Sequence, residues 1–311
     1  MTMHKVWYII PFLLFLFSCD DGQGKKEKDS PVSGRLLLFA DESFRPVVDA
    51  QAGTFQALYK DAVIQPHYVS ETEAINSLLN RKTEVVVAGR SLTDKERNFF
   101  KESQLMVAEN KIASDAVAFL VHKDSPLESL KIEQLSDIFS GTATSWAHID
   151  AALDDQEIHV VFDQSGSANY RLLNDSLQFS KNDIKVFAAG SNASVVDYIH
   201  KHPEAIGVIG ANWISDLDDP EVLDRLNHVK VLDIEALNSN GEYEVFSPFQ
   251  SDLLSGRYPF LRDIYLINLT SRAGLPTGFA SFVLSDRGQR IVLKDGLMPA
   301  VVPGREVHVV R

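Results

Sequence analysis

Short apolar runs alternate with capped amphipathic helices along most of this chain, and that rhythm constrains the fold more than any other feature. Arg35–Ala40 (RLLLFA) is a strand candidate, and Val47, Val48, Phe55, Leu58 and Tyr59 then fall on one helical face. Ser43 is placed as the N-cap of that helix, with Pro46 in its first turn, where a missing N–H is tolerated. Gln65–Ser70 reads as a second strand, and Ser70-x-x-Glu73 as a capping box before Ala74, Ile75, Leu78 and Leu79. Glu84–Gly89 is a third strand, followed by a second box, Thr93-x-x-Glu96. This β-α-β-α-β order predicts an α/β fold with mainly parallel sheets. The pattern resumes in strands Ala113–His122, Glu157–Phe162, Ile184–Gly190, Ala205–Gly210 and Arg262–Asn268. A helix from Ala193 stops before Pro203, and 278–294 reads as one closing helix.

The N-terminus carries a different signal. Val6–Phe17 is an uncharged run behind Lys5, too short for a comfortable membrane span and suited to a signal peptide. The chain's single cysteine, Cys19, follows at once, preceded by Ser18, and this junction resembles the lipobox of bacterial lipoproteins. We expect residues 1–18 to be a signal peptide, Cys19 to be lipidated, and 19–34 to be a flexible tether, because that stretch is nearly devoid of apolar residues. The expected location is the cell envelope, periplasm or cell surface, anchored to a membrane by lipid. One cysteine leaves no disulfide framework, so stability rests on core packing. The 311 residues suffice for one large or two ordinary domains, and a formal net charge of −13 argues against nucleic acid as a partner. A small anion answers to local N–H groups and is not excluded by that charge.

Signatures of catalysis are missing. Gly-x-Ser-x-Gly, His-Glu-x-x-His, Cys-x-x-Cys, the Walker A loop and Gly-x-Gly-x-x-Gly do not occur. The histidines are scattered, and Ser215–Glu221 is acidic but lacks the glycine and terminal glutamate of a calcium loop. No enzyme activity, cofactor or metal is therefore expected. What does recur is a strand that ends where a helix begins on a small polar residue: at Ser43, at Ser70, around Gly89–Thr93, and in Asp163–Arg171 (DQSGSANYR). Each junction reads as a plain N-cap or as part of an anion site, since helix N-termini offer spare N–H groups and partial positive charge.

Several stretches then carry a family resemblance: ADESFRPVV, VVVAGRSLTDKE, LSDIFSGTATSW, VVFDQSGSANYR and EAIGVIGANWISD. They resemble the phosphate-binding proteins of bacterial ABC transporters, in the periplasmic-binding-protein superfamily, and look closest to a lipoprotein branch of it. The resemblance implies a type II fold with two α/β lobes, mixed and mainly parallel sheets, and a ligand cleft between the lobes. Mapped here, residues 35–112 plus 262–311 would form one lobe and 113–261 the other, with Ala113–His122 and Arg262–Asn268 crossing between them. It implies a monomer that captures inorganic phosphate or a similar oxyanion and hands it to a membrane permease. The implied phosphate contacts are Ser43 and Phe44 at the first helix start, Ser70 at the second, Arg90 and Ser91 after the third strand, and Ser167, Asn169 and Arg171 at the fourth. The chain departs from the pattern at Gly89, where the family has Ser, Thr or Asp, and at Ala168 and Asn169, where hydroxyls are usual. Those departures keep a second reading open: the same fold used as a sensor, adhesin or assembly partner that binds another anion or no small ligand.

Overall fold

A computed structural model describes residues 29–177, 185–238, 240–270 and 273–304. The expected signal peptide, Cys19 and the start of the tether lie outside the described residues. Of the tether, residues 29–34 are described and are docked: Asp29 accepts a hydrogen bond from the Leu275 N–H, and Gly34 donates to the Asp61 carbonyl.

The described residues hold the strands β1 (Gly34–Asp41), β2 (Ala62–Val69), β3 (Val85–Ala88), β4 (Val107–His122), β5 (Ser129–Lys131), β6 (His159–Phe162), β7 (Lys185–Ala188), β8 (Ala205–Gly210), β9 (Val229–Leu237), β10 (Tyr243–Phe246), β11 (Leu261–Leu269) and β12 (Met298–Pro299). Eight of them follow the order β2-β1-β3-β11-β4-β8-β6-β7, while β12 and β9 pair with β4, and β5 and β10 pair with β9. β1 runs parallel to β2 and β3, and β6 runs parallel to β7 and β8, as the alternating sequence predicts. β11 is inserted antiparallel between β3 and β4, and β4 is antiparallel to β8 and β9.

Hydrophobic burial divides this sheet into two halves. One core gathers Leu38, Phe44, Val47, Phe55, Ile264 and Phe279 on β1, β11 and the helices beside them. A smaller cluster lies behind it, under Ile75, Leu78 and Phe100. The other core gathers Phe119, Phe139, Phe162, Ile206 and Phe260. A fully buried Phe such as Phe55 contributes about 1.5–3 kcal/mol by removal from water. The chain passes between the cores on β4, where Ala113 belongs to one and Ala116 to the other, and again between Phe260 and Ile264 at the start of β11. At this seam Arg262 stands directly opposite Asp115 in the antiparallel register.

Several expectations need correcting. The closing helix is two helices, Leu275–Leu284 and Asp286–Lys294. Ser285 breaks them by adopting an extended backbone, donating to the Phe282 carbonyl and capping Gly288 N–H. β4 begins at Val107, earlier than its apolar run, because pairing with β11 recruits polar flanking residues, and β2 begins at Ala62, where Ala62–Ile64 pair with Gly34–Leu36 of β1. The strands β5, β9, β10 and β12 have no counterpart in the sequence reading. Ser43 is not an N-cap: it lies within a single 3-10 turn, Glu42–Phe44, and the cap is Asp41, whose carboxylate accepts from the Ser43 N–H.

Candidate functional site

The C-terminal ends of β1, β3 and β6 point their helix starts at the seam between the two cores, where ligands of open α/β sheets gather. From one side come the turn after β1, the start of helix Glu71–Leu79 and Gly89 after β3. From the other come the loop Asp163–Ser167 and the start of helix Ala168–Leu177, with Asn192 at the start of Asn192–Lys201 beside it. Gly166 turns the loop with φ +78°, a conformation that a side chain would strain, and a Cβ there would stand 3.0 Å from Thr72 Oγ1. Its glycine thus makes the turn and also lets the two halves approach.

Spare N–H groups are present at this seam, and those of Ser43, Gly89, Ala168 and Asn192 each face a carboxylate of the chain itself. Asp41 Oδ2 accepts from the Ala168 N–H across the seam at 2.9 Å, while its Oδ1 accepts from the Ser43 N–H at 2.9 Å and from the Ser43 hydroxyl. Glu71 Oε2 accepts from the Gly89 N–H at 2.7 Å. Its Oε1 takes Arg171 Nε at 2.5 Å, and Arg171 Nη2 also reaches the Gly89 carbonyl at 2.9 Å. Glu42 Oε2 accepts both from the backbone N–H of Asn192, at 2.9 Å, and from its side-chain amide, at 2.6 Å. Asp163 accepts from the Ser167 hydroxyl at 2.6 Å and from the amides of Asn169 and Asn192 at 3.2 Å.

One buried cation anchors this acidic network. Arg262 Nη2 donates to Asp115 Oδ2 at 2.8 Å and Nη1 donates to Asn169 Oδ1 at 2.6 Å, with the guanidinium 4.5 Å above the Phe44 ring. Asp115 also accepts from Asn212, whose amide donates to the Ser43 carbonyl at 2.7 Å, and Trp213 Nε1 reaches the same carbonyl at 3.1 Å. Burial raises the Asp41, Glu42 and Asp163 carboxyls above the ordinary carboxylate range. Asp163 is pushed up to about 7, first by burial and then by the charge of Asp41.

The residues expected from sequence separate into two groups. Ser43, Phe44, Ser167, Asn169 and Arg171 converge on this network, although Phe44 acts through its ring and Ser43 through its backbone as well as its hydroxyl. Ser70 stands at the rim, where its hydroxyl caps its own helix by accepting from the Glu73 N–H at 3.3 Å. Arg90 forks onto Glu96 at 2.8 and 2.9 Å, and its Nε lies 3.7 Å from Glu71. Ser91 takes part through its carbonyl, which accepts from Arg90 at 2.9 Å. Sequence reasoning missed Asp41, Glu42, Glu71, Asp115, Asp163, Asn192, Asn212 and Arg262. A signal was present: Asp41, Glu71 and Asp163 each stand directly beside a noted junction. Charged residues there read as solvated until the facing half is in place.

The two departures now have a physical role. A Cβ on Gly89 would stand 2.8 Å from Ala168 Cβ, 3.0 Å from Glu71 Oε2 and 3.2 Å from Phe44 Cζ. The bare Gly89 and the plain methyl of Ala168 are thus the shapes that let Glu71 reach the Gly89 N–H. Asn169 exchanges a hydroxyl for an amide that links Arg262, Asp163 and Asn192.

Comparison with known proteins places the chain. It is 24% identical over 280 residues to the phosphate-binding protein PstS of Staphylococcus epidermidis, covering 89% of this chain and 82% of that one. A PstS from Staphylococcus aureus is likewise 24% identical over 281 residues, with 89% and 81% covered. Among solved structures, a putative phosphate ABC transporter substrate-binding protein with bound phosphate from Clostridium perfringens superposes with a TM-score of 0.70 at 20% identity, covering 86% of this chain and all of that one. An ABC-type phosphate transport receptor from Vibrio cholerae superposes with a TM-score of 0.63 at 17% identity, with 86% and 100% covered. These likenesses carry the two-lobe fold with a cleft between the lobes. A family model described as the PBP superfamily domain matches residues 25–287, and the chain therefore belongs to the PBP superfamily.

Proposed function

We propose that this protein is an exported solute-binding protein that captures inorganic phosphate between its two lobes and delivers it to an ABC-type permease. One observation carries the reading. Backbone N–H groups of Ser43, Gly89 and Ala168, the Ser167 hydroxyl and the Arg171 guanidinium converge from both halves on the same seam. Such convergent donors suit an oxyanion, and the relatives named above are phosphate-binding proteins. The work is binding and closure, with no bond chemistry. We assign residues 35–112 and 262–311 to one lobe and 113–261 to the other, consistent with the two cores. Lipidation of Cys19, which would hold the domain on a membrane, belongs to the same proposal. Among the described residues no helix is long and apolar enough to cross a membrane. Calorimetric titration of the full chain with inorganic phosphate tests the reading, and the absence of both heat and a thermal shift at millimolar phosphate would sink it.

A second reading has its own support. The donors are already held by Asp41, Glu71 and Asp163, so the cleft is chemically complete as folded. A PBP-fold sensor or assembly partner that binds another anion, or no small ligand, fits that state. Failure of the phosphate titration with the closed form intact would favour it.

A further inference from the structure

The seam between the lobes is held by bonds that imitate those of a bound anion. Asp41 reaches from the turn after β1 to the N-terminus of helix Ala168–Leu177 on the other lobe, at 2.9 Å. Glu71 reaches from the start of its own helix to Arg171 on the other lobe while also taking the Gly89 N–H. All of these acceptor groups are buried, Asp41 at 0% and Glu71 at 2% relative exposure. A carboxylate offers the same acceptor oxygens as an oxyanion, so it satisfies the same N–H and guanidinium donors. The fit is matched by the surfaces around these carboxylates, where Gly89 has no side chain and Ala168 no hydroxyl, and a Cβ at Gly89 would stand 2.8 Å from Ala168 Cβ and 3.0 Å from Glu71 Oε2.

We propose that Asp41 and Glu71 are an internal anion pair that occupies the solute donors and latches the two lobes together, so that an incoming oxyanion binds only by displacing them. The inference rests on the phosphate reading for the identity of the solute, but the latch itself does not. Two anions cannot share one set of donors, and repulsion from a carboxylate left in the cleft weakens a phosphate further. Asp41 and Glu71 thereby set both the affinity of the site and its resting conformation. Arg171 is the partner that changes hands, from Glu71 to the solute.

Amide hydrogen exchange over 163–171 and 85–92, together with calorimetric titration by inorganic phosphate, tests this on the full chain. The comparison set is the native protein, Asp41→Asn, Glu71→Gln and the double variant. In phosphate-free buffer the native amides of Gly89 and Ala168 are expected to exchange slowly, and in the double variant about tenfold faster or more, as loss of a charge-assisted bond requires. Phosphate should bind the double variant at least about tenfold more tightly than the native chain. Fast exchange of both amides in the native chain without phosphate overturns the proposal. So does a folded double variant with native exchange and native phosphate affinity. If no form binds phosphate while the exchange difference holds, the latch stands and the phosphate reading falls. Should the double variant fail to fold by circular dichroism, Glu71→Gln alone decides the matter. Its Arg171 is released, and unchanged exchange over 163–171 would count against the latch.

Discussion

Two helix starts in this molecule solve the same problem at different range. Helix Asp94–Glu102 is capped within its own sequence: Thr93 accepts from the Glu96 N–H, and Glu96 accepts from the Thr93 N–H at 2.7 Å. Helix Ala168–Leu177 has the N–H of its first residue, Ala168, taken by Asp41, which is 127 positions away in the chain and on the other lobe. Both devices satisfy donors that a helix leaves unpaired. The local one costs no arrangement beyond the helix itself and stabilises only that helix. The remote one couples helix capping to lobe closure, so anything that competes for the donors also acts on the conformation. A cap drawn from the facing lobe is at once a structural bond and a barrier to solute.

That contrast can be broken most severely through Arg262. Replacing it with methionine leaves Asp115 buried without its partner and removes the donor to Asn169, and losing one member of a buried pair costs about 3–5 kcal/mol. Chemical denaturation would read the loss, and a change below about 1 kcal/mol would show that the Arg262–Asp115 pair does not hold the seam. Next in size is Gly89→Ala. Its Cβ would stand 2.8 Å from Ala168 Cβ, and overpacking of this kind costs about 1–3 kcal/mol. Adding Ala168→Gly should return part of that loss, which thermal melting of the double variant measures.

The acidic network gives the closed form a pH dependence. Asp163 is pushed up to about 7, chiefly by burial, whereas in the unfolded chain it titrates near its ordinary 3.8. The folded state therefore holds at Asp163 a proton that the unfolded chain releases. Stability is fully present below the unfolded value and is lost as pH rises through about 7, with a slope of at most about 1.4 kcal/mol per pH unit for each proton. Urea denaturation from pH 5 to 8 should show the decline, and Asp163→Asn should flatten it. The smallest effect is expected at the local cap. Thr93→Ala should cost about 1 kcal/mol and leave exchange of the Ala168 amide unchanged. A change at Ala168 would mean that the two starts are coupled, and the contrast between them would fail.

Much of the chain was legible before folding because its signals are local. The strand–helix alternation and the Thr93 box depend on residue type and short spacing, whereas the grouping of Ser43, Ser167, Asn169 and Arg171 came only from the family resemblance. The helix break at Ser285 was missed because the apolar pattern runs through it and only the backbone conformation there ends the first helix. The acids were missed for a different reason. Asp41, Glu71 and Asp163 are charged residues at loop junctions, which on their own belong in water. Burial of Asp41 and Glu71 is tolerable because Ala168 and Arg171 from the facing half meet them, and burial of Asp163 because Ser167, Asn169 and Asn192 do.

By itself, then, the sequence determined the main strand–helix alternation, the α/β class, the junctions where helices begin, and the two positions, Gly89 and Ala168, where the pattern of the family is broken. Tertiary structure alone decided what fills those helix starts. Hydrogen-bond donors are a property of the local backbone and can be read along the chain. The acceptors for Gly89, Ala168, Arg171 and Asn192 come from residues 18 to 150 positions away, brought within reach by the packing of two separate cores.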